Sequence, residues 1–190
     1  MKLIPVEINR KLIHTCSAAI PLLYWFWLPA DVMILGLVVI NLAFFVIEYQ
    51  RLLGTRVGKL LEWLFKPAIR TQEATKVTGA AFVFLGNLAT IALFPKQIAV
   101  PALLVLSISD SFAALIGIPL GKHPIGEKSI EGSLAFFISA LAVLAFFPEI
   151  GWSAKILGAL TGTLVEAFLK QIDDNIAIPL SVAVVIWAFI

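Results

Sequence analysis

The chain has 190 residues, of which 61% are hydrophobic and 14% are charged, and its formal net charge is +2. Water-soluble domains are about half apolar and about a quarter charged, so this composition excludes an ordinary soluble globule. The small net charge argues against nucleic acid as a partner, and the single cysteine, Cys16, excludes an internal disulfide framework. Because the apolar runs are continuous rather than alternating, we expect an all-α, polytopic membrane helix bundle formed by one domain over residues 1–190.

Seven apolar runs have the composition of membrane-spanning helices. They cover about 13–29, 32–49, 77–94, 98–117, 129–147, 151–169 and 176–190. Most are slightly shorter than the ~20 residues that a helix needs to cross a bilayer, so some spans are expected to be short or broken. Turns between them are expected at Pro29, Pro95 and Pro148.

Residues 51–66 have a different pattern. Apolar residues such as Val57 recur at helical spacing on one side, and charged residues such as Lys59 fall on the other. This pattern predicts an amphipathic helix that lies in the headgroup plane, since both neighbouring segments enter the bilayer. Residues 67–76 are expected to form a polar connection to the next span.

The basic residues predict the orientation of the chain. Of the 14 Lys and Arg residues, all but Lys96 and Lys155 fall on one side of the membrane when the seven runs are taken as spans. The positive-inside rule therefore predicts a multi-pass protein of the cell membrane with its N-terminus in the cytoplasm and its C-terminus outside. The same orientation puts every polar cluster on the cytoplasmic side, where nucleotides are found.

The stretch from Ser107 to Ser133 concentrates polar groups between two apolar runs, and Asp110 lies inside the first of them. A charged side chain at such a depth costs on the order of 2.5–3.5 kcal/mol, so ionisable groups in membrane helices commonly mark functional sites. We expect Asp110 to hold a divalent cation, or to orient a substrate hydroxyl and take its proton. The alternative is a structural role in which Asp110 pairs with a lysine and the neighbouring serines bond back to their own helix.

The second half of this stretch carries Gly117-x-x-x-Gly121-Lys122 and then Lys128-Ser129. This is not a Walker A motif, because the glycine spacing is one residue short and no Ser or Thr follows the first lysine. Glycines nevertheless let backbone N–H groups approach phosphates, and lysines supply positive charge. Ser129 is expected to cap the next helix, whose N-terminus attracts anions. The alternative is that the glycines pack two helices together and that the lysines anchor the cytoplasmic end.

A second polar cluster follows the sixth apolar run. Glu166 lies near the inner end of that run, and Asp173-Asp174-Asn175 come soon after it. Carboxylate and amide oxygens suit Mg²⁺ or Ca²⁺, whereas the alternative is a solvated turn with Asn175 as a cap. Together the clusters predict a membrane enzyme with a cytoplasmic, Mg²⁺-dependent phosphate site that opens to lipid. Its other substrate is therefore expected to be a lipid with a polar head.

Several motifs match a known family in their order along the chain. The central ones are Asp110-Ser-Phe-Ala113-Ala114-Leu-Ile-Gly117, Gly121-Lys122 and Lys128-Ser129-Ile-Glu131-Gly132-Ser133. The outlying ones are Arg10-Lys11-Leu-Ile-His14, Arg70-x-x-Glu73 with Thr78-Gly79, and Glu166 with Asp174-Asn175 and Pro179. In these motifs the chain resembles the CTP-dependent polyprenol and lipid kinases, which include dolichol kinase, phytol kinase and yeast-type diacylglycerol kinase.

The resemblance implies transfer of the γ-phosphate of CTP to a lipid alcohol, namely a polyprenol or dolichol, a phytol-like prenol or diacylglycerol, with Mg²⁺ or another divalent cation. The catalytic residues that it implies are Asp110, Lys128, Glu131 and Asp174. The implied nucleotide- and phosphate-binding residues are Gly117, Gly121, Lys122, Lys128, Ser129, Gly132, Ser133 and Asn175. The implied metal ligands are Asp110, Glu166 and Asp174, and the supporting residues are Arg10, Lys11, His14, Arg70 and Glu73.

Two other function classes stay open at this point. Phosphatidate cytidylyltransferases also use CTP and have a related pattern, but their Ser-Pro-Lys-Lys-Thr signature is missing here, where Gly126-Glu127 precede Lys128-Ser129. A small transporter would place its acids near the midplane and often show repeated halves, whereas here the polar groups crowd one side. The pair Gly158 and Gly162 predicts helix packing within the chain or, alternatively, a contact between copies in a homo-oligomer.

Overall fold

The computed structural model describes residues 5–65, 76–126 and 128–190. The helices are α1 Pro5–Cys16, α2 Ala19–Phe26, α3 Ala30–Leu52, α4 Arg56–Phe65, α5 Gly79–Leu93, α6 Lys96–Leu104, α7 Asp110–Leu120, α8 Ile130–Ala145, α9 Trp152–Phe168 and α10 Asp174–Ala188. A π-helical turn, Val105–Ser109, joins α6 to α7. The prediction of an all-α fold is confirmed. The predicted supporting residues Arg70 and Glu73, with most of the 67–76 connection, lie outside the described residues.

The centre of the bundle is the continuous helical unit Lys96–Leu120, made of α6, the π-helical turn and α7. Its apolar first half is surrounded, so that Val100, Leu103 and Leu106 have no exposed surface. Helices α2, α5, α8 and α10 pack against this unit, and α9 packs against α8 and α10. Helix α3 lies farther out and packs on α5. This arrangement puts Asp110 next to the core rather than at the lipid-facing surface.

The outer surface of the bundle is strongly apolar. On α3 alone, Leu35, Leu42 and Phe45 are each more than 60% exposed. Among the described residues, α3 and the Lys96–Leu120 unit are long and apolar enough to cross a membrane, and shorter apolar helices cover Gly79–Leu93, Ile130–Ala145 and Asp174–Ala188. Exposed apolar surface of this extent marks a membrane-associated protein. The count of seven spans stays a prediction.

The predicted first span, 13–29, is wrong as a single helix. Helix α1 begins at Pro5 and ends at Cys16, and α2 starts again at Ala19. One reason is that Pro21 has no N–H to donate to the carbonyl of Ser17. That carbonyl instead accepts from the N–H of Ile20 at 3.0 Å, which tightens the chain into a turn. The break frees α1 to lie against a polar part of the bundle.

The amphipathic helix starts later than predicted. Residues 51 and 52 complete α3, and Gly54 with a φ of 64° breaks the chain before α4. The hydroxyl of Thr55 then caps α4 by accepting from the N–H of Gly58 at 3.0 Å. Val57, Leu60 and Trp63 are exposed on α4, as a helix at a membrane surface requires. Its placement in the headgroup plane stays a prediction.

The loop expected between the predicted spans 98–117 and 129–147 is shorter than expected because α7 continues to Leu120. Two-residue strands, β1 Pro124–Ile125 and β2 Lys128–Ser129, pair antiparallel within it. Gly126 occupies the turn of this small hairpin with a φ of 60°, a conformation that favours glycine. The hairpin places Lys128 directly before α8 and fixes where its side chain emerges.

Candidate active site

The first polar cluster, which we call the Asp110 cluster, consists of Lys11, His14 and Asp110. Its carboxylate oxygen Oδ2 lies 2.5 Å from Lys11 Nζ and 3.1 Å from His14 Nε2. All three side chains are at most 10% exposed. Lys11 and His14 are three residues apart on α1, so they project from the same face of that helix. The buried acid is therefore met by two basic groups from a helix nearly one hundred positions earlier in the chain.

Hydroxyl contacts extend the docking of α1 on either side of Asp110. Thr15 donates to the hydroxyl of Ser111 at 2.9 Å, and the hydroxyls of Ser17 and Ser107 lie 3.0 Å apart. Ser111 also bonds back to the carbonyl of Ser107 at 2.9 Å, as the structural alternative predicted for these serines. The contacts fix α1 against the π-helical turn and the start of α7. This turn was not predicted, although such turns are frequent at functional sites.

The second polar cluster, which we call the Lys128 cluster, consists of Lys128, Glu166 and Asp174. Lys128 Nζ lies 2.7 Å from Glu166 Oε1 and 3.3 Å from Asp174 Oδ2. Glu166 comes from the end of α9 and Asp174 from the start of α10, so one lysine joins three parts of the chain. The other oxygen of Glu166, Oε2, is buried and has no hydrogen-bond partner among the described residues. Such an oxygen is available to a ligand or a cation.

The two clusters act on each other electrostatically. Burial acts to lower the pKa of Lys128, but the charges of Asp174 and Glu166, with a contribution from Asp110, outweigh it and raise that pKa. Burial raises the pKa of Asp174, which Lys128 opposes and the charge of Asp110 reinforces. The charge of Asp110 therefore reaches both groups. The catalytic roles of Asp110, Lys128 and Asp174 stay a prediction.

The predicted metal ligands are divided between the clusters. Asp110 is engaged by Lys11 and His14, whereas Glu166 and Asp174 are brought together on Lys128. Within the described part of the chain, no group of three or more His, Cys, Asp and Glu side chains is arranged to hold a metal ion. Mg²⁺ at phosphate sites is often held by one or two carboxylates and the substrate phosphates, and Glu166 with Asp174 fits that donor set. The metal assignment stays a prediction.

The glycines of the central motif bring α7 and α8 close together. A Cβ atom on Gly117 would lie 3.1 Å from the Cα of Gly132 and 3.0 Å from the hydroxyl of Ser129. Ser129 caps α8, as predicted, by accepting from the N–H of Gly132 at 3.1 Å. Its hydroxyl also lies 3.4 Å from the carbonyl of Gly117. These contacts support the helix-packing alternative for Gly117 and Gly132, and their phosphate-binding role stays a prediction.

Other predicted residues lie around this site without joining either cluster. Lys122 is exposed next to the hairpin. Glu131 holds His123, with Oε1 at 2.8 Å from Nδ1 and Oε2 accepting from the backbone N–H at 3.3 Å. Asn175 donates to Asp173 Oδ1 at 2.7 Å. Gly121 packs beside Ser129, and Ser133 lies in the first turn of α8. Arg10 lies on the wall of a cavity.

A cavity of about 450 Å³ opens between α1, α2, α3, α5 and α10. Its lining is mostly apolar: Ile13, Cys16, Ile20, Phe44, Ile47, Gly79, Ala80, Val83 and Phe84. Polar side chains also reach its wall: Arg10, His14, Ser17, Glu48, Arg51, Thr78 and Asn175. Because His14 contacts both the cavity and Asp110, the cavity adjoins the Asp110 cluster.

Glu48, Arg51 and Thr78 form a third buried polar group, which we call the Glu48 network. Glu48 Oε2 accepts from Arg51 at 3.0 and 2.7 Å, and Oε1 accepts from the hydroxyl of Thr78 at 2.6 Å. The network ties α3 to the residue before α5. Sequence reasoning missed it, although the spacing of Glu48 and Arg51 by three residues on one helix was a usable signal.

Comparison with known proteins gives one relative that aligns with almost all of the chain. The uncharacterised protein RP860 of Rickettsia prowazekii is 33% identical over 186 residues, which cover 92% of this chain and 90% of that protein. The chain belongs to the RP860 family. The uncharacterised protein MJ1137 of Methanocaldococcus jannaschii is 39% identical over 113 residues, or 57% of each chain.

A third relative has a named activity. It is the CTP-dependent diacylglycerol kinase 1 of Schizosaccharomyces pombe, which is 28% identical over 143 residues, covering 64% of this chain and 65% of that protein. This distant homology supports the resemblance to CTP-dependent lipid kinases at that coarse level. No family model matches the chain. No solved structure matches it either.

Proposed function

We propose that this protein is a kinase that transfers the γ-phosphoryl group of CTP to the hydroxyl of a lipid alcohol at the cytoplasmic face of the membrane. One observation carries the proposal. Two charged clusters, centred on Asp110 and Lys128, lie in a strongly apolar bundle, the charge of Asp110 helps to raise the pKa of Lys128, and the Asp110 cluster adjoins an apolar cavity through His14. The distant homology to a CTP-dependent diacylglycerol kinase supports CTP as the donor.

The Lys128 cluster is suited to the nucleotide. Lys128 and the exposed Lys122 supply positive charge for the phosphates. Glu166 and Asp174 would hold Mg²⁺, which would neutralise charge on the β- and γ-phosphates. Lys128 would then exchange its partners. Its ion pairs with the two carboxylates in the free protein would be replaced by contacts to phosphate oxygens.

The Asp110 cluster is suited to the acceptor. The oxygen of the lipid hydroxyl forms a bond to the γ-phosphorus, the bond from that phosphorus to the β–γ bridging oxygen breaks, and CDP leaves. The hydroxyl proton passes to Asp110. Lys11 holds the carboxylate in place, and His14 lies between it and the cavity. Phosphoryl transfer needs mainly such positioning and charge neutralisation from a protein.

Product analysis with purified protein tests this proposal. CTP labelled at the γ-phosphate should pass label to a lipid alcohol from a panel of polyprenol, phytol and diacylglycerol, and CDP should accumulate. A cytidylyltransferase would instead leave pyrophosphate and a CDP-lipid. Finding label in pyrophosphate, with none in phosphorylated lipid, would replace the kinase by this second enzyme.

The proposed membrane face has its own test. The distribution of Lys and Arg favours an N-terminus in the cytoplasm and a C-terminus outside. A reporter enzyme fused after Ile190 should therefore be active only outside the cytoplasm, while the same reporter placed before Met1 should be cytoplasmic. A cytoplasmic reporter at both ends would require an even number of spans.

A further inference from the structure

The cavity between α1, α2, α3, α5 and α10 has no role in the chemistry of the nucleotide. We infer that it binds a neutral lipid alcohol, with the hydrocarbon chain against the apolar wall and the hydroxyl at His14. That this lipid is the phosphoryl acceptor rests on the proposed function. The binding site itself stands on the geometry of the cavity.

The apolar wall fits a hydrocarbon chain. Ile13 and Ile20 come from the two N-terminal helices, Phe44 from α3, and Val83 and Phe84 from α5. A volume of about 450 Å³ lies within the range of about 300–1,000 Å³ typical of small-molecule sites. Removal of a hydrocarbon chain from the bilayer itself gains little, so the site must recognise the lipid by a polar contact as well.

His14 provides that polar contact. Its side chain is 7% exposed, and Nε2 forms no hydrogen bond of good geometry with the described residues although it lies 3.1 Å from Asp110 Oδ2. Buried polar atoms are nearly always hydrogen-bonded, so a ligand that serves as a well-aligned partner for Nε2 would be stabilised there. A hydroxyl is a suitable one, because it can donate one hydrogen bond and accept another. An alcohol beside His14 would also be next to Asp110.

Glu48, Arg51 and Asn175, which also reach the wall, favour a neutral ligand. Both oxygens of Glu48 already accept hydrogen bonds, from Arg51 and from Thr78. Asn175 is engaged with Asp173. A charged headgroup could form an ion pair with these side chains only if such contacts were broken. A single hydroxyl requires only a hydrogen bond with His14.

The single cysteine of the chain allows a direct test without an activity assay. Cys16 is exposed and lines the cavity. The full-length protein is placed in phosphatidylcholine nanodiscs, and the rate at which a membrane-permeant maleimide modifies Cys16 is measured with hexadecanol, dioctanoylglycerol or the methyl ether of hexadecanol. At about ten times its Kd, a bound alcohol should slow the reaction about tenfold, since the free fraction falls as 1/(1 + [L]/Kd).

The outcomes distinguish failure of the binding site from failure of the proposed function. Protection by hexadecanol or by dioctanoylglycerol, without protection by the ether, supports the site and says whether one or two chains fit. Equal protection by alcohol and ether, or none at all, overturns it. Protection in a protein that has no kinase activity would keep the site and remove the proposed function. Kinase activity without protection would overturn only this inference.

A matched pair of variants tests whether the bound alcohol is the acceptor. Ala80 lines the cavity, whereas Ala81, the next residue on α5, is not among its lining residues. Ala80→Phe should raise the KM for the lipid alcohol about tenfold by occupying the cavity and leave the KM for CTP unchanged, while Ala81→Phe should change neither. Equal effects of the two substitutions, or an effect confined to CTP, would contradict an acceptor site in this cavity.

Discussion

Two buried carboxylates of this protein, Asp110 and Glu48, have similar surroundings but differ in where their basic partners come from and in how many of their oxygens are engaged. Each is paired with a basic side chain inside an apolar bundle. Glu48 takes its partner Arg51 from its own helix, and both of its oxygens accept hydrogen bonds. Asp110 takes Lys11 and His14 from α1, and both meet one oxygen, Oδ2. The pairing of a buried acid therefore does not by itself distinguish a structural role from a functional one.

The distinguishing features lie in what surrounds each pair. In the Glu48 network both carboxylate oxygens accept hydrogen bonds, which join α3 to the residue before α5. In the Asp110 cluster, His14 Nε2 lies 3.1 Å from Asp110 Oδ2 but forms no hydrogen bond of good geometry with the described residues, and the charge of Asp110 acts on the pKa of Lys128 and of Asp174. A closed network stabilises one arrangement, whereas an incomplete one can accept a substrate. We therefore expect changes at Asp110 to act on activity and changes at Glu48 to act on stability.

The largest effect is expected for Asp110→Asn. The substitution keeps the shape of the side chain and removes its charge, so that it can neither take a proton nor orient the hydroxyl as strongly. We expect the rate of lipid phosphorylation to fall about 10²-fold or more. The measurement is kcat with labelled CTP, and thermal unfolding in detergent confirms that the variant is folded. A folded Asp110→Asn protein with near-normal kcat would show that Asp110 has a structural role, as we expect for Glu48.

The next effect is expected for Lys128→Ala, which removes the cation shared by Glu166 and Asp174. A hydrogen bond to a charged group contributes about 1.5–3 kcal/mol, which corresponds to about a tenfold to hundredfold rise in the KM for CTP. Lys122→Ala is the comparison, and we expect it to raise this KM less, because Lys122 is exposed and belongs to neither cluster. If both variants raised the KM for CTP equally, the phosphates would be bound by diffuse positive charge rather than by a specific contact from the Lys128 cluster.

These residues could be predicted from the sequence to different extents. Asp110, Lys128, Glu166 and Asp174 stood out because charged groups are rare in this apolar chain. The cap at Ser129 also followed from local sequence. Such signals come from residues that are neighbours in the sequence, so they can be recognised without a structure.

The features that were missed depend on distant parts of the chain or on backbone geometry. The Glu48 network needs Thr78, which is 30 residues away. The division of the metal ligands follows from where α1 docks, and the break between α1 and α2 was hidden by an apolar run that continues through it. The cavity forms only where five helices meet, so no single stretch of sequence encodes it.

A smaller and purely structural effect is expected for Glu48→Gln. The amide can still accept from Thr78 but loses the charge-assisted contact with Arg51, so we expect a loss of about 1.5–3 kcal/mol in the free energy of unfolding. The specific activity of the folded protein should stay unchanged. Denaturant unfolding and kcat, measured on the same preparation, check both parts. A large fall in kcat with intact stability would show that the Glu48 network takes part in the reaction.

The smallest loss of stability is expected where α7 meets α8, at the far end of the helix that begins with Asp110. An added methyl group at Gly117 would lie 3.0 Å from the hydroxyl of Ser129 and would push the two helices apart, at a cost of about 1–3 kcal/mol. Because Lys128 directly precedes Ser129, the same shift should move the Lys128 cluster relative to Asp110 and lower kcat several-fold, well short of the loss in Asp110→Asn.

Gly36→Ala is the control for Gly117→Ala, because an added methyl group at Gly36 on α3 meets nothing within 4 Å. At that position alanine should stabilise the helix by about 0.5–1 kcal/mol and leave kcat unchanged. Thermal unfolding and kcat of the two variants, side by side, separate the close approach of α7 and α8 from a general effect of losing a glycine. If Gly117→Ala behaved like Gly36→Ala in both measurements, the spacing of these helices would not set the distance between the two charged clusters.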